Sequence, residues 1–208
     1  MNIFKSLTAL SLVLALCSCS SDDDSTPLIE LESETITNLY APQTGGRGEP
    51  ISGAFVKFDF ETGSETTSET DWDVAFRGST LLVNGGSKTG TTDEPERTAD
   101  AAVYLTQGSL ARVTEVNTSL FKQDTPEGPA IATGSGNGWY NYTGEPDHLI
   151  VPIPGTVLVF RTSEGKYAKL EILSYYENAP EQPNAFSDGT PYYTFNYIYQ
   201  PNEGATTF

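Results

Sequence analysis

The chain opens with an apolar run, passes through a polar acidic stretch, and continues as short alternating segments separated by turns rich in Gly and Pro. Over Ala54–Phe60, Val56, Phe58 and Phe60 fall on one face and Lys57 and Asp59 on the other. Asp71–Arg77 repeats the pattern, with Trp72, Val74 and Phe76 opposite Asp71, Asp73 and Arg77. A period of two marks a half-buried strand, because successive side chains of an extended chain point to opposite faces. Ser79–Val83 and Ala101–Leu105 are weaker strand candidates, and residues 84–100, rich in Gly, Thr, Asp and Glu, predict an exposed loop. Leu110–Phe121 carries Val113, Val116 and Leu120 at roughly helical spacing. Its β-branched content weakens a helix, so a short helix and an irregular segment both remain open.

The last third has the plainest pattern. Thr156–Arg161 and Lys166–Tyr176 flank Ser163-Glu164-Gly165 as the two arms of a hairpin, with Ala168, Leu170 and Ile172 on one side and Lys169 and Glu171 on the other. After the Pro/Asn-rich stretch 180–191, Tyr192–Tyr199 predicts a final strand with Tyr193, Phe195, Tyr197 and Tyr199 on one face. Many short strands, frequent turns and little amphipathic helix define an all-β, mostly antiparallel class.

The start of the chain is a targeting device. Lys5 supplies a positive charge, and Leu7–Leu16 is an apolar core too short to span a bilayer. Leu16-Cys17-Ser18-Cys19 then offers a cysteine preceded by a small residue at −1 and an aliphatic residue at −3. Cys19 fits that pattern better than Cys17, whose preceding residue, Leu16, is bulky. The expected organisation is a lipoprotein signal peptide over 1–18, an acylated Cys19 with an acidic tether to residue 35, and a β domain over 36–208. Both cysteines of the chain are used up by this reading, so the domain has no disulfide, thiolate metal site or cysteine nucleophile. Several acyl chains on Cys19 would make the anchoring stable.

The formal charge is −17, and loss of Lys5 with the signal peptide takes it to −18. Such a surface repels nucleic-acid phosphates and anionic lipid, which excludes both as partners. Asp22–Asp24 directly after Cys19 resembles the export signal that sends lipoproteins of Bacteroidetes to the outer face of the outer membrane.

Phe58-Asp59-Phe60 followed by Asp71-Trp72-Asp73-Val74-Ala75-Phe76 resembles the paired strands of the HmuY-like haem-binding lipoproteins. Gly138-Trp139-Tyr140-Asn141-Tyr142, Gly165–Leu170 and Tyr193–Tyr197 follow in that family's order and at similar spacing, so the resemblance covers about residues 50–200. It implies a mostly antiparallel β fold with haem clamped between extended hairpins outside the cell. It also implies relay of the haem to a TonB-dependent receptor.

The chain departs from the family at the iron. The resemblance implies two axial ligands, histidine in some members and methionine in others. The aromatic strand here continues Tyr142-Thr143-Gly144, residues 110–135 contain neither His nor Met, and Met1 leaves with the signal peptide. Two-ligand capture is therefore not available. The one histidine, His148, is the candidate metal ligand, with Tyr140, Tyr142 or water completing the iron and Asp147 placed to orient the ring. The bland alternative is a partly buried residue at a strand edge.

Trp139, Tyr140, Tyr142, Tyr192, Tyr193, Tyr197 and Tyr199 are candidates for a platform taking a flat apolar ligand or a sugar, against the alternative that alternate members are core. Asp71/Asp73, Asp93/Glu94 and Glu145/Asp147 are acidic pairs at no known calcium-loop spacing, and read as solvated charges. With no domain cysteine, one histidine and no nucleophile-elbow pattern, the chain is expected to bind rather than catalyse. The competing functional reading is an interaction lipoprotein that uses the same scaffold for a glycan, peptide or receptor subunit without iron.

Overall fold

The computed structural model describes residues 27–46 and 48–208, so the expected signal peptide, Cys19 and the first part of the expected tether lie outside the described residues. Five strands form one antiparallel sheet in the order β1 (Glu32–Tyr40), β13 (Tyr192–Gln200), β12 (Tyr167–Ser174), β11 (Thr156–Arg161) and β8 (Ala102–Gln107). A second sheet orders β5 (Ser64–Thr66), β4 (Val56–Asp59), β6 (Val74–Arg77) and β7 (Thr80–Val83). Two small hairpins, β2 (Thr44–Gly46) with β3 (Glu49–Ser52) and β9 (Tyr140–Tyr142) with β10 (Ile150–Pro152), complete the architecture. All pairings between these strands are antiparallel. The all-β expectation thus holds.

The two sheets bury a common aromatic layer. Phe58 and Phe60 of the smaller sheet meet Phe195 and Phe160 of the larger at ring distances of 5.4 and 5.1 Å, and Phe76 meets Tyr193 at 4.9 Å. These are the tilted and edge-on contacts that aromatic quadrupoles favour. Tyr193, Phe195, Tyr197 and Tyr199 all point into this layer, so the shared face predicted for the last strand is its core face.

Both sheets are also covered on their outer faces, which changes several sequence expectations. Val157, Val159 and Tyr104 pack under Leu110, Val113, Val116, Phe121 and Phe208. Segment 110–121 does this with two single 3-10 turns, Leu110–Arg112 and Thr118–Leu120, joined by irregular chain. Lys169, placed by alternation on the outer face with Glu171, is buried there: its ammonium donates to the Val113 carbonyl at 2.7 Å and lies 4.6 Å from the Phe208 ring centre. Trp72 also departs from expectation. It precedes β6 rather than lying in it, so it packs with Phe55, Ala75 and Leu82 on the back of the smaller sheet instead of beside Val74 and Phe76.

Residues 84–100 form a loop, but not an exposed one throughout. Arg97, with its side chain 2% exposed, bridges Glu94 at 3.0 Å and Asp124 at 2.8 Å and stands over the Trp72 ring. The back of the small sheet needs a cover, and the loop supplies one while pairing its charges internally. The domain also begins earlier than residue 36. β1 starts at Glu32 because its backbone completes the edge of the larger sheet against β13, although its outward side chains are polar.

Asp73 joins the two sheets. Its carboxylate accepts from the Phe60 amide at 2.9 Å and from the amide and hydroxyl of Ser163, in the β11–β12 turn, at 2.6 and 2.9 Å. Burial pushes its carboxyl up to about 7 against the pull of those donors, with the charge of Glu164 acting in the same direction as burial. A proton bound in the folded state and absent from the unfolded one stabilises the fold at low pH. That contribution is complete below about pH 4 and is lost as pH rises through about 7. Unfolding free energies measured across this window should carry a component falling by up to ~1.4 kcal/mol per pH unit that is missing in Asp73→Asn; equal slopes for the two proteins would contradict this. Arg97→Ala, which strands two buried carboxylates, should cost about 3–5 kcal/mol in chemical denaturation.

Candidate functional site

The sequence candidates converge on the β9–β10 hairpin. The loop 134–138 runs beneath it, with Ser135 Oγ accepting from the Tyr142 amide at 2.8 Å and the Gly136 amide donating to the Tyr140 carbonyl at 2.9 Å. Gly138 is required here, since a Cβ would lie 2.2 Å from the Ala132 carbonyl oxygen. Tyr140, paired with Pro152, and Tyr142, paired with Ile150, share one face of β9; Tyr140 at the base of the hairpin is buried, while Tyr142 toward its tip is exposed.

The structure therefore divides the predicted set. Trp139 and Tyr140 are 2% and 8% exposed and belong to the core, where Trp139 packs on Tyr175 and Tyr193 at 5.8 and 5.3 Å and donates from Nε1 to the Ser79 carbonyl at 3.0 Å. The structure thus places both in the core rather than on an open platform. The same holds for Tyr193, Tyr197 and Tyr199, because an aromatic row on one face of a central strand is what a two-sheet core consumes. Tyr192 instead stacks on Tyr40 at 4.5 Å, at the far edge of the sheet.

Tyr142 and His148 do come together. The turn between β9 and β10 is closed by the Thr143 amide donating to the Leu149 carbonyl at 2.9 Å and the His148 amide donating to the Gly144 carbonyl at 2.8 Å. His148 sits at φ +53°, in the left-handed region that a non-glycine side chain rarely adopts. This turns the half-buried imidazole onto Tyr142, whose hydroxyl hydrogen-bonds Nδ1. Nε2 makes no hydrogen bond among the described residues. Asp147, expected to orient the ring, is exposed and does not contact it with a hydrogen bond.

One member of the site escaped the sequence reading. Phe186, 75% exposed, presents its ring edge-on to His148 at 5.7 Å from the loop 180–191, where Asn184 accepts from the Phe186 amide and Asp188 from the Asn184 amide. The available signal was a lone aromatic residue in a Pro/Asn-rich turn. Beside it, Asp147, Leu149, Pro183, Asn184, Ala185 and Phe186 line an open hollow of ≈ 190 Å³. This is smaller than the pockets that enclose drug-sized ligands.

The acidic pairs do other work. Asp71 accepts from Ser68 and Thr70, Asp93 from the Gly53 amide, and Glu94 pairs with Arg97. Asp59, Asp73 and Glu164 bring carboxylate oxygens within 4.8 Å of one another. The Phe60 and Ser163 donors on Asp73 and the Glu61 and Thr62 donors on Asp59 already occupy oxygens that a cation would need.

Fold and site together define a two-sheet β domain with an exposed imidazole–aromatic hairpin tip. The chain belongs to the HmuY family: the family model described as HmuY protein matches residues 53–197. Among solved structures it is similar to the apo HmuY analogue of Tannerella forsythia, at 14% identity and TM-score 0.49, covering 85% of this chain and 100% of that one. It is also similar to a candidate HmuY-like haem-binding protein of Bacteroides vulgatus, at 14% identity and TM-score 0.45, covering 83% and 93%. A candidate lipoprotein of Bacteroides fragilis gives 16% identity, TM-score 0.47 and coverage of 84% and 96%. No protein of curated function matches the chain.

The division of the aromatic residues has a measurable consequence. Trp139→Ala should cost about 3–5 kcal/mol of stability through the cavity it opens. Phe186→Ala should fall within about 0.5 kcal/mol of the parent, because its ring is free of the core. Denaturant titration of both variants checks the assignment.

Proposed function

We propose that the protein is a lipid-anchored outer-membrane lipoprotein, facing the cell exterior, that binds haem at the β9–β10 hairpin through His148. Membership of the HmuY family supports haem as the ligand class. The observation that carries the site is the half-buried imidazole, held by Tyr142 at Nδ1 with Nε2 free of hydrogen bonds among the described residues, and flanked by the exposed ring of Phe186. The residues fit one axial ligand: neutral imidazole is a good donor to iron. They supply no second one, since the chain has a single histidine and its one methionine is Met1.

Haem, when bound, would supply an iron centre, and His148 Nε2 is the group of this chain that would hold it. The chain's own part would be the His148 imidazole and the neighbouring Phe186 ring, beside an open hollow too small to enclose a porphyrin. Such partial burial favours release over storage, which suits hand-over to a TonB-dependent receptor. The anchor on Cys19 and the acidic Asp22–Asp24 that follow it support a tethered, outward-facing position. Function of this kind needs no catalytic group, and we propose binding without catalysis.

Titration of the full chain with haem should give a Soret shift at micromolar concentration, and His148→Ala should abolish it; a parent protein that produces no shift would overturn the reading. The open hollow and the projecting Phe186 favour one second reading, an interaction lipoprotein that takes a glycan, peptide or receptor subunit without iron. A glycan array and an outer-membrane pull-down, both carried out with Phe186→Ala alongside, separate it from haem binding.

A further inference from the structure

The contact between Tyr142 and His148 is more specific than neighbouring positions on a hairpin require. Tyr142 ends β9 and pairs with Ile150, while His148 lies two residues before that partner on the returning chain. The turn between them is fixed by its own backbone bonds and by the Leu149 amide donating to Thr143 Oγ1 at 2.9 Å. The backbone therefore decides where the imidazole is carried, but not how its ring is rotated. Among the described residues, the Tyr142 hydroxyl is the one group that hydrogen-bonds either ring nitrogen.

We propose that Tyr142 is a positioning residue for His148: its hydroxyl claims Nδ1, so that Nε2 is the nitrogen presented to an incoming ligand, and the ring is held ready before the ligand arrives. This inference rests on the haem reading of the same site. The partner of the second ring nitrogen commonly fixes which nitrogen of a metal-binding histidine coordinates, and in what orientation. When Nε2 gives its lone pair to iron, Nδ1 carries the ring's single hydrogen and donates it to the tyrosine oxygen. The hydroxyl hydrogen of Tyr142 then turns to water, which its 47% exposure allows. No proton is gained or lost. Tyr142 acts through His148 and is not itself a ligand, in contrast to the expectation that it completes the iron.

Tyr142→Phe removes the hydroxyl and keeps the ring, and the chain's single histidine makes the readout unambiguous in an untagged protein. In the ligand-free protein, NMR relaxation of the imidazole carbons should show a ring that is rigid in the parent and mobile in Tyr142→Phe, with thermal unfolding unchanged. With haemin, Tyr142→Phe should bind roughly 10–100-fold more weakly and with a shifted Soret band. Equal ring mobility and equal affinity in parent and variant, with binding lost in His148→Ala, would overturn the positioning role and leave the haem reading standing. Binding that survives in His148→Ala but disappears in Tyr142→Phe would make the phenol oxygen the ligand and overturn both. Binding unchanged in both variants would remove the hairpin from the site.

Discussion

The aromatic layer between the two sheets is the constraint on which the rest of the structure depends. The described domain has no cysteine, and no covalent cross-link shares the burden. Phe58, Phe60, Phe76, Phe160, Phe195 and the inward tyrosines of β13 must therefore exclude water by packing alone. Their interleaving fixes how the sheets are stacked, and that stacking in turn fixes which loops lie close enough to cover the outer faces. Trp139 extends the same layer into the base of the β9–β10 hairpin. The candidate site is thus rooted in the buried aromatic core while its tip remains in solvent.

Most polar groups inside this frame have partners; among the described residues Trp72 Nε1, Arg77 Nε and Thr194 Oγ1 are buried without one. Arg77 donates to the carbonyls of Gly53 and Thr92 and to Thr91 Oγ1 while lying 4.1 Å from the Phe55 ring centre. Arg97 with Glu94 and Asp124 forms a buried triad on the same side of the small sheet. Burying charges this way is a poor source of net stability, because desolvation offsets most of the attraction. It does specify one arrangement of the long loop 84–100, since any other would leave a charge buried and unpaired. Asp73 plays the corresponding role between the sheets, linking the end of β4 to the β11–β12 turn.

At the hairpin tip the balance is reversed. The left-handed backbone at His148, the exposed rings of Tyr142 and Phe186, and the shallow hollow beside them add little to folding. Strained backbone and exposed aromatic surface persist where surrounding structure holds them in place, and they gather at sites of recognition. A buried root and an open tip are the setting of the proposed haem site.

Much of this was legible in the residues. Period-two alternation located β4, β11, β12 and β13, and the Ser163-Glu164-Gly165 turn located the β11–β12 hairpin. Alternation gives the two faces of a strand but not which face is covered, or whether both are. That is why Lys169 proved to be buried; Arg97 is buried because loop 84–100 folds over the small sheet, and Tyr140 is covered while Tyr142, two residues on along the same face, lies beyond the core. Where a segment only approaches a strand, as Trp72 does before β6, the parity itself fails. The meeting of Phe186 with His148 was beyond any local pattern, because they lie on separate loops and are joined only by the packing of the β9–β10 hairpin against the chain that follows β12. The residues determine locally what each strand can bury; what touches what at the site is decided by long-range packing, which no single segment encodes.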